Sequence, residues 1–241
     1  MFVGWEGYIN SLKWLNLYKS TIFSRSISNI NNKNNTCLII GSLLGNSYLE
    51  KNEKGVRIIF IKCSGNIEYL MQFYNYLNSI GYCKSKKPNL NKVISKKNKI
   101  LYYIKVESYY LTRFEWLYAM FYKQNIKTIP SNLKEYLTPL SLSTWYLDNT
   151  DKLYLSSNQN FDLNIENLDY IFQILKDKYN IDTFYRLESK GKVVFYIENK
   201  SIDNFSKTVK PYISYSLQQY KLNNSHNKLT MWAILRQKHS S

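Results

Sequence analysis

The sequence predicts an α+β protein built by duplicating one unit around a pair of buried helices. Three observations carry that expectation. Two nearly all-apolar segments, 37–48 and 137–150, share one plan; each is followed by strand and helix patterns in the same order; and small residues lie near the start of both.

The second segment shows the plan most clearly. Leu137, Leu140, Leu142, Trp145, Tyr146 and Leu147 surround the small Ser141, Ser143 and Thr144. Pro139 suits a first helical turn, where its missing N–H costs nothing. The segment then stops in Asp148, Asn149 and Thr150, polar groups that bind metal or cap. A helix that is apolar on most sides is buried on most sides, so it needs a partner, and small residues let that partner approach closely. Segment 37–48 supplies one, with Leu38, Ile39, Ile40, Leu43 and Leu44 around Gly41 and Ser42, ending in Gly45, Asn46 and Ser47. Aligning Asn46 with Asn149 aligns the rest at an offset of about a hundred residues, far longer than a solenoid repeat.

The remaining elements follow in order. Residues 1–34 carry Lys13, Lys19, Arg25 and several serines against one acid, Glu6, with Trp14, Leu15, Leu17, Phe23 and Ile27 placed for one helical face. That pattern suits a mitochondrial transit peptide; a basic arm, or the remnant of an upstream reading frame, are the alternatives. A strand is expected over 56–63, and a helix over 66–82 from the period of Ile67, Leu70, Met71, Tyr74, Leu77 and Ile80, with Gly81 as its stop. The basic stretch 83–106 reads as a hairpin whose lysines, Lys96 and Lys97 among them, crowd the turn at 96–99, with a return strand over 100–106. A helix over 111–125 closes the first half. The second half repeats the order in shortened form: one clear strand around 152–157, a helix over 164–180, strands over 183–187 and 193–198, and a helix over 203–214 that Pro211 should bend or end. Residues 223–241 read as a capping helix or a partner-binding segment.

Composition narrows the function. With 33 Lys and Arg against 17 Asp and Glu, the 241-residue chain carries +16 and asks for a polyanionic partner. Its 23 tyrosines, interleaved with lysines, suit phosphate covering and base stacking. Cys37, Cys63 and Cys83 show no paired spacing, and the histidines, His226 and His239, both sit in the tail, so a disulfide framework, a zinc cluster and a core histidine base are excluded. No run of about 18 apolar residues exists to span a membrane.

Two nine-residue units, Ile39 to Ser47 and Leu142 to Thr150, resemble the paired signature helices of the LAGLIDADG homing endonucleases and intron maturases in their monomeric two-repeat form. KTIPSNLKEYLTPLSLSTWYLD and KPYISYSLQQYKL are similar to flanking segments of the branch that includes the yeast mitochondrial omega-intron enzyme. The resemblance implies a pseudo-twofold αββαββα duplication, 35–126 and 127–222. Two antiparallel sheets would form a saddle over nucleic acid, with the paired helices at its centre. It also implies a departure. Where the family carries metal-holding acids, this chain has Asn46 and Asn149, and neutral amides bring no charge against the dehydration of Mg²⁺. Asp148 is the candidate substitute, although one helical position turns its side chain by about 100°. No metal or other cofactor is expected, and Mg²⁺ only if the chain cleaves. Lys127 and Lys221 match positions that carry phosphate-side lysines in that branch. Arg57, Lys62, Lys92, Lys96, Lys97, Lys105, Arg186 and Lys192 are the candidates for the nucleic-acid face.

Three readings stay open at this point: a non-cleaving mitochondrial matrix protein that binds RNA in intron splicing or an RNA assembly, an active intron homing endonuclease cutting DNA with metal, and a structural protein whose basic surface meets another protein. RNA is favoured over DNA as the partner. A monomer is expected.

Overall fold

The computed structural model describes residues 33–64, 67–84, 86–94, 100–148, 153–155, 165–188 and 192–213. The chain divides into two compact units, 1–36 and 37–241; apart from residues 33–36 of its first helix, the architecture below belongs to the second. The expectations for 1–32 and for 223–241 lie outside the described residues.

Helix α1 (Lys33–Leu44) leads into a four-stranded antiparallel sheet of β1 (Tyr48–Asn52), β2 (Gly55–Ser64), β3 (Asn91–Ile94) and β4 (Ile100–Glu107), in the order β1-β2-β4-β3. Helix α2 (Ile67–Ser79) covers one face of it with Leu70, Phe73, Tyr74 and Leu77, and Phe73 meets Phe60 edge to face at 5.5 Å. The expected helix over 111–125 is shorter. A 3-10 turn (Thr112–Phe114) and α3 (Glu115–Phe121) give way to a tight hairpin, β5 (Tyr122–Lys123) and β6 (Ile126–Lys127). Gln124 and Asn125 make its turn at φ of 50° and 63°, a left-handed conformation that asparagine tolerates better than most residues and that no helix continues through.

After the short α4 (Leu133–Tyr136) comes α5 (Pro139–Leu147), the second central helix. Thr138 and Ser141 form a capping box over its first turn, Pro139 takes the first helical position, and every residue from Leu140 to Leu147 is buried. The hydroxyls of Ser143 and Thr144 donate to the carbonyls of Pro139 (2.6 Å) and Leu140 (3.0 Å) one turn back, which lets polar residues sit in a dry helix. Three strands are described in the second sheet, β7 (Leu153–Leu155), β8 (Thr183–Glu188) and β9 (Lys192–Ile197), in the order β7-β9-β8. Helix α6 (Ile165–Tyr179) covers it, with Phe172 edge-on to Phe195 at 5.5 Å. Helix α7 (Ile202–Val209) then ends in a 3-10 turn (Lys210–Tyr212) that contains Pro211, as the proline demands.

The two central helices pack directly on each other. A Cβ placed on Gly41 would run into the Ser141 carbonyl oxygen and lie 2.9 Å from Thr144 Cβ, and one on Gly45 would lie 2.7 Å from Asp148 Oδ2. Two glycines one turn apart thus remove the side chains that would hold the helix backbones apart. α5 is locked into the second half by Trp145 against Phe195 (5.6 Å) and Tyr146 against Phe205 (5.1 Å). The core is therefore continuous from the first sheet through the helix pair to the second.

Candidate functional site

The helix pair brings its polar ends together, and four side chains meet there. Asn46, half-buried, donates its amide N–H to the Asp148 carbonyl (3.2 Å). Asp148 caps α5, is 1% exposed, and takes the Lys62 ammonium on its carboxylate in a fully buried ion pair. Lys62 Nζ also donates to Ser42 Oγ (2.7 Å) and lies 4.2 Å from the centre of the Phe73 ring. Lys127, 2% exposed, donates to the Ser47 carbonyl (2.9 Å) just past the end of α1.

Local structure explains each placement. A strand turns alternate residues to opposite faces, so Lys62 shares the inner face of β2 with Ile58 and Phe60, all three fully buried, while Arg57 points the other way. Lys62 was expected on the nucleic-acid face. The structure corrects this: its odd spacing from Arg57 sends it inward, where only a carboxylate makes an ammonium tolerable. Lys127 reaches the tip because the β5–β6 hairpin folds back beside the end of α1. Burial pushes its ammonium pKa down from 10.5 to about 7, partly opposed by the charge of Asp148. Burial likewise lowers Lys62, against the pull of Asp148.

The described residues of this tip do not fit a hard divalent cation. Asn46 presents its amide nitrogen to a carbonyl, and the Asp148 carboxylate is already neutralised by an ammonium inside a dry cluster. Among the described residues no group of three or more His, Cys, Asp or Glu side chains is placed to hold a metal. Asp148, the candidate substitute acid, is the counterion of Lys62. Asn149 lies outside the described residues.

The remaining candidates separate by face. On the outer face of the first sheet, Arg57 contacts Glu50 (2.6 Å) and Glu107 (2.8 Å) and lies over the Tyr110 ring (4.8 Å), while Lys105 pairs with Glu107 at 2.7 Å. Two cations there answer two acids. Lys92 is exposed on β3 opposite Tyr102, which gives it the parity of Lys62, not of Lys105. Arg186 is exposed on β8, and register sets Lys192 opposite Glu188. Lys96, Lys97 and Lys221 lie outside the described residues. Sequence reasoning noted Glu50 only as an acid beyond the first helix end and did not foresee Glu50 and Glu107 as the partners of Arg57. It also missed Ser42, which looked like a packing residue alone.

Known proteins resemble this chain. Residues 37–205 match the LAGLIDADG DNA endonuclease family. Cytochrome b mRNA maturase bI2 of Saccharomyces cerevisiae is 34% identical over 233 residues, which cover 90% of this chain and 54% of that protein. The protein of the same name from Debaryomyces hansenii is 31% identical over 194 residues, 78% of this chain and 72% of that one. The chain thus spans about half the length of the Saccharomyces relative. Among solved structures, the homing endonuclease I-WcaI bound to its DNA recognition sequence has the same fold, with a TM-score of 0.62 at 19% identity over 86% of this chain and 92% of that one. Twin helices in contact at Gly41 and Gly45, two antiparallel sheets and a family match over most of the length have one meaning: the chain belongs to the LAGLIDADG DNA endonuclease family.

Proposed function

We propose that this chain is a maturase-type member of the family, binding RNA in the mitochondrial matrix to support intron splicing or an RNA assembly, and that it does not cut DNA. The observation that carries the reading is the Asp148–Lys62 pair. A family built to hold Mg²⁺ between two helix ends has here an amide at Asn46 and a carboxylate already matched to a lysine. Proteins named as maturases of cytochrome b mRNA are relatives at 31% and 34% identity, which supports both RNA as the ligand and a mitochondrial location. The mechanism is scaffolding. A chain with a charge of +16 docks electrostatically on RNA and favours whichever RNA fold it contacts best.

The test is a paired assay on the purified full chain. Binding to an intron transcript should be tight and should fall steeply with salt, and DNA spanning the intron insertion site should survive incubation with Mg²⁺ or Mn²⁺. Specific double-strand cleavage would overturn the non-cleaving assignment in favour of a homing endonuclease. A flat salt response would instead point to a protein partner.

A further inference from the structure

We propose that the outer face of the second sheet is a stacking platform for unpaired RNA bases, with Phe184, Tyr196 and Arg186 as its contact residues. The proposal rests on the RNA-binding reading above and assigns that binding a place and a chemistry.

Register and parity define the face. Phe184 on β8 pairs directly with Tyr196 on β9, and Arg186 pairs with Val194 one step along. Their neighbours Tyr185 and Phe195 have the opposite parity and are the ones packed under α6, with Phe172 stacked at 5.8 Å on Tyr185 and edge-on at 5.5 Å to Phe195. Phe184, Tyr196 and Arg186 therefore share the side of the sheet turned away from its helix.

On that side the Phe184 and Tyr196 rings lie nearly parallel, with centroids 5.2 Å apart and planes inclined by 12°. The Arg186 guanidinium is 5.7 Å from one ring centre and 5.5 Å from the other, and Arg186 is exposed. Two flat rings and a flat cation on a sheet surface are the groups on which nucleobases stack, and stacking tolerates any base because every base has a π-face. A duplex hides those base faces within its own stack and offers only edges and phosphates. Unpaired RNA leaves them accessible, and protein aromatics are a common way of reading it.

The experiment measures binding of the full chain to two probes by fluorescence anisotropy, a 12-nucleotide oligouridine and a perfectly paired RNA duplex, at several salt concentrations. Phe184→Leu combined with Tyr196→Leu keeps apolar bulk and charge but removes both rings. Oligouridine affinity should fall by about tenfold to a hundredfold, with the salt slope unchanged because no phosphate-binding charge is lost, while duplex affinity stays within about twofold. If the double variant fails to fold, Tyr196→Leu and Arg186→Lys made singly should each weaken oligouridine binding several-fold with wild-type melting curves. Unchanged oligouridine affinity in folded variants, or an equal loss on the duplex, overturns the platform. Failure of the wild-type chain to bind any RNA overturns the maturase reading as well, whereas intact intron-RNA binding by the double variant removes the platform alone.

Discussion

On the first sheet, outward-facing Arg57 and Lys105 are held by Glu50 and Glu107; on the second, outward-facing Arg186 lies against Phe184 and Tyr196. Their inner faces are far more alike, each packing aromatic and aliphatic residues under one long helix. The halves also contribute unequally to the central tip, where the ammonium of Lys62 comes from the first sheet and the carboxylate of Asp148 from the second helix. Duplicated architecture persisted where side chains are enclosed and any change of volume is felt. It diverged where one side of a residue faces solvent, and at the tip it diverged into complementary charges that tie one half to the other.

The tie between the halves can be broken at several strengths. Asp148→Ala would leave Lys62 buried without its counterion, a change that costs about 3–5 kcal/mol; denaturant titration should show a chain close to unfolding. Replacing Lys62 with Met in the same background should recover much of the loss. If Asp148→Ala is nearly neutral, the pair is not what joins the halves. Gly41→Ala tests the helix contact itself. Its new methyl meets the Ser141 carbonyl and Thr144, and overpacking of this kind costs about 1–3 kcal/mol, read as a lower melting temperature.

Lys127 sharpens the comparison through pH. An unfolded lysine ionises near 10.5 and the folded one near 7, so between those values the unfolded chain binds more protons and stability rises with pH. Below about pH 7 both states are protonated and the burial cost is present in full. The slope is at most about 1.4 kcal/mol per pH unit, and scanning calorimetry from pH 6 to 9 should show the rise in the wild type and lose it in Lys127→Met, which should be the more stable protein at pH 6. The smallest effect belongs to the surface. Glu107→Gln should change stability by less than about 1 kcal/mol, since exposed pairs contribute little. By releasing Lys105, while Arg57 keeps Glu50, it should strengthen nucleic-acid binding and steepen its salt dependence by up to about one unit.

Much of this was legible in the residues. The pairing of segments 37–48 and 137–150 followed from apolar residues on nearly all sides with glycine and serine among them, because such a helix has nowhere to go but against another close-packed surface. The stop at Pro211 was equally plain, since proline has no N–H to donate. The hairpin at Gln124 and Asn125 was not, because the period of the preceding helix runs on through residues that tolerate either conformation. Lys62 lay between these cases. Counting by twos from Ile58 and Phe60 places it inside, but its charge argued the other way, and the period prevails only if a counterion waits within.

The amino-acid order alone determined that two greasy helices would be buried against each other and that asparagine would stand at the family's acid positions, since both depend on residue types at fixed local spacing. Only the tertiary structure decided what Asp148 does. Its partner is 86 positions away on another element, and no local pattern encodes which cation will be desolvated beside a carboxylate when the two halves close.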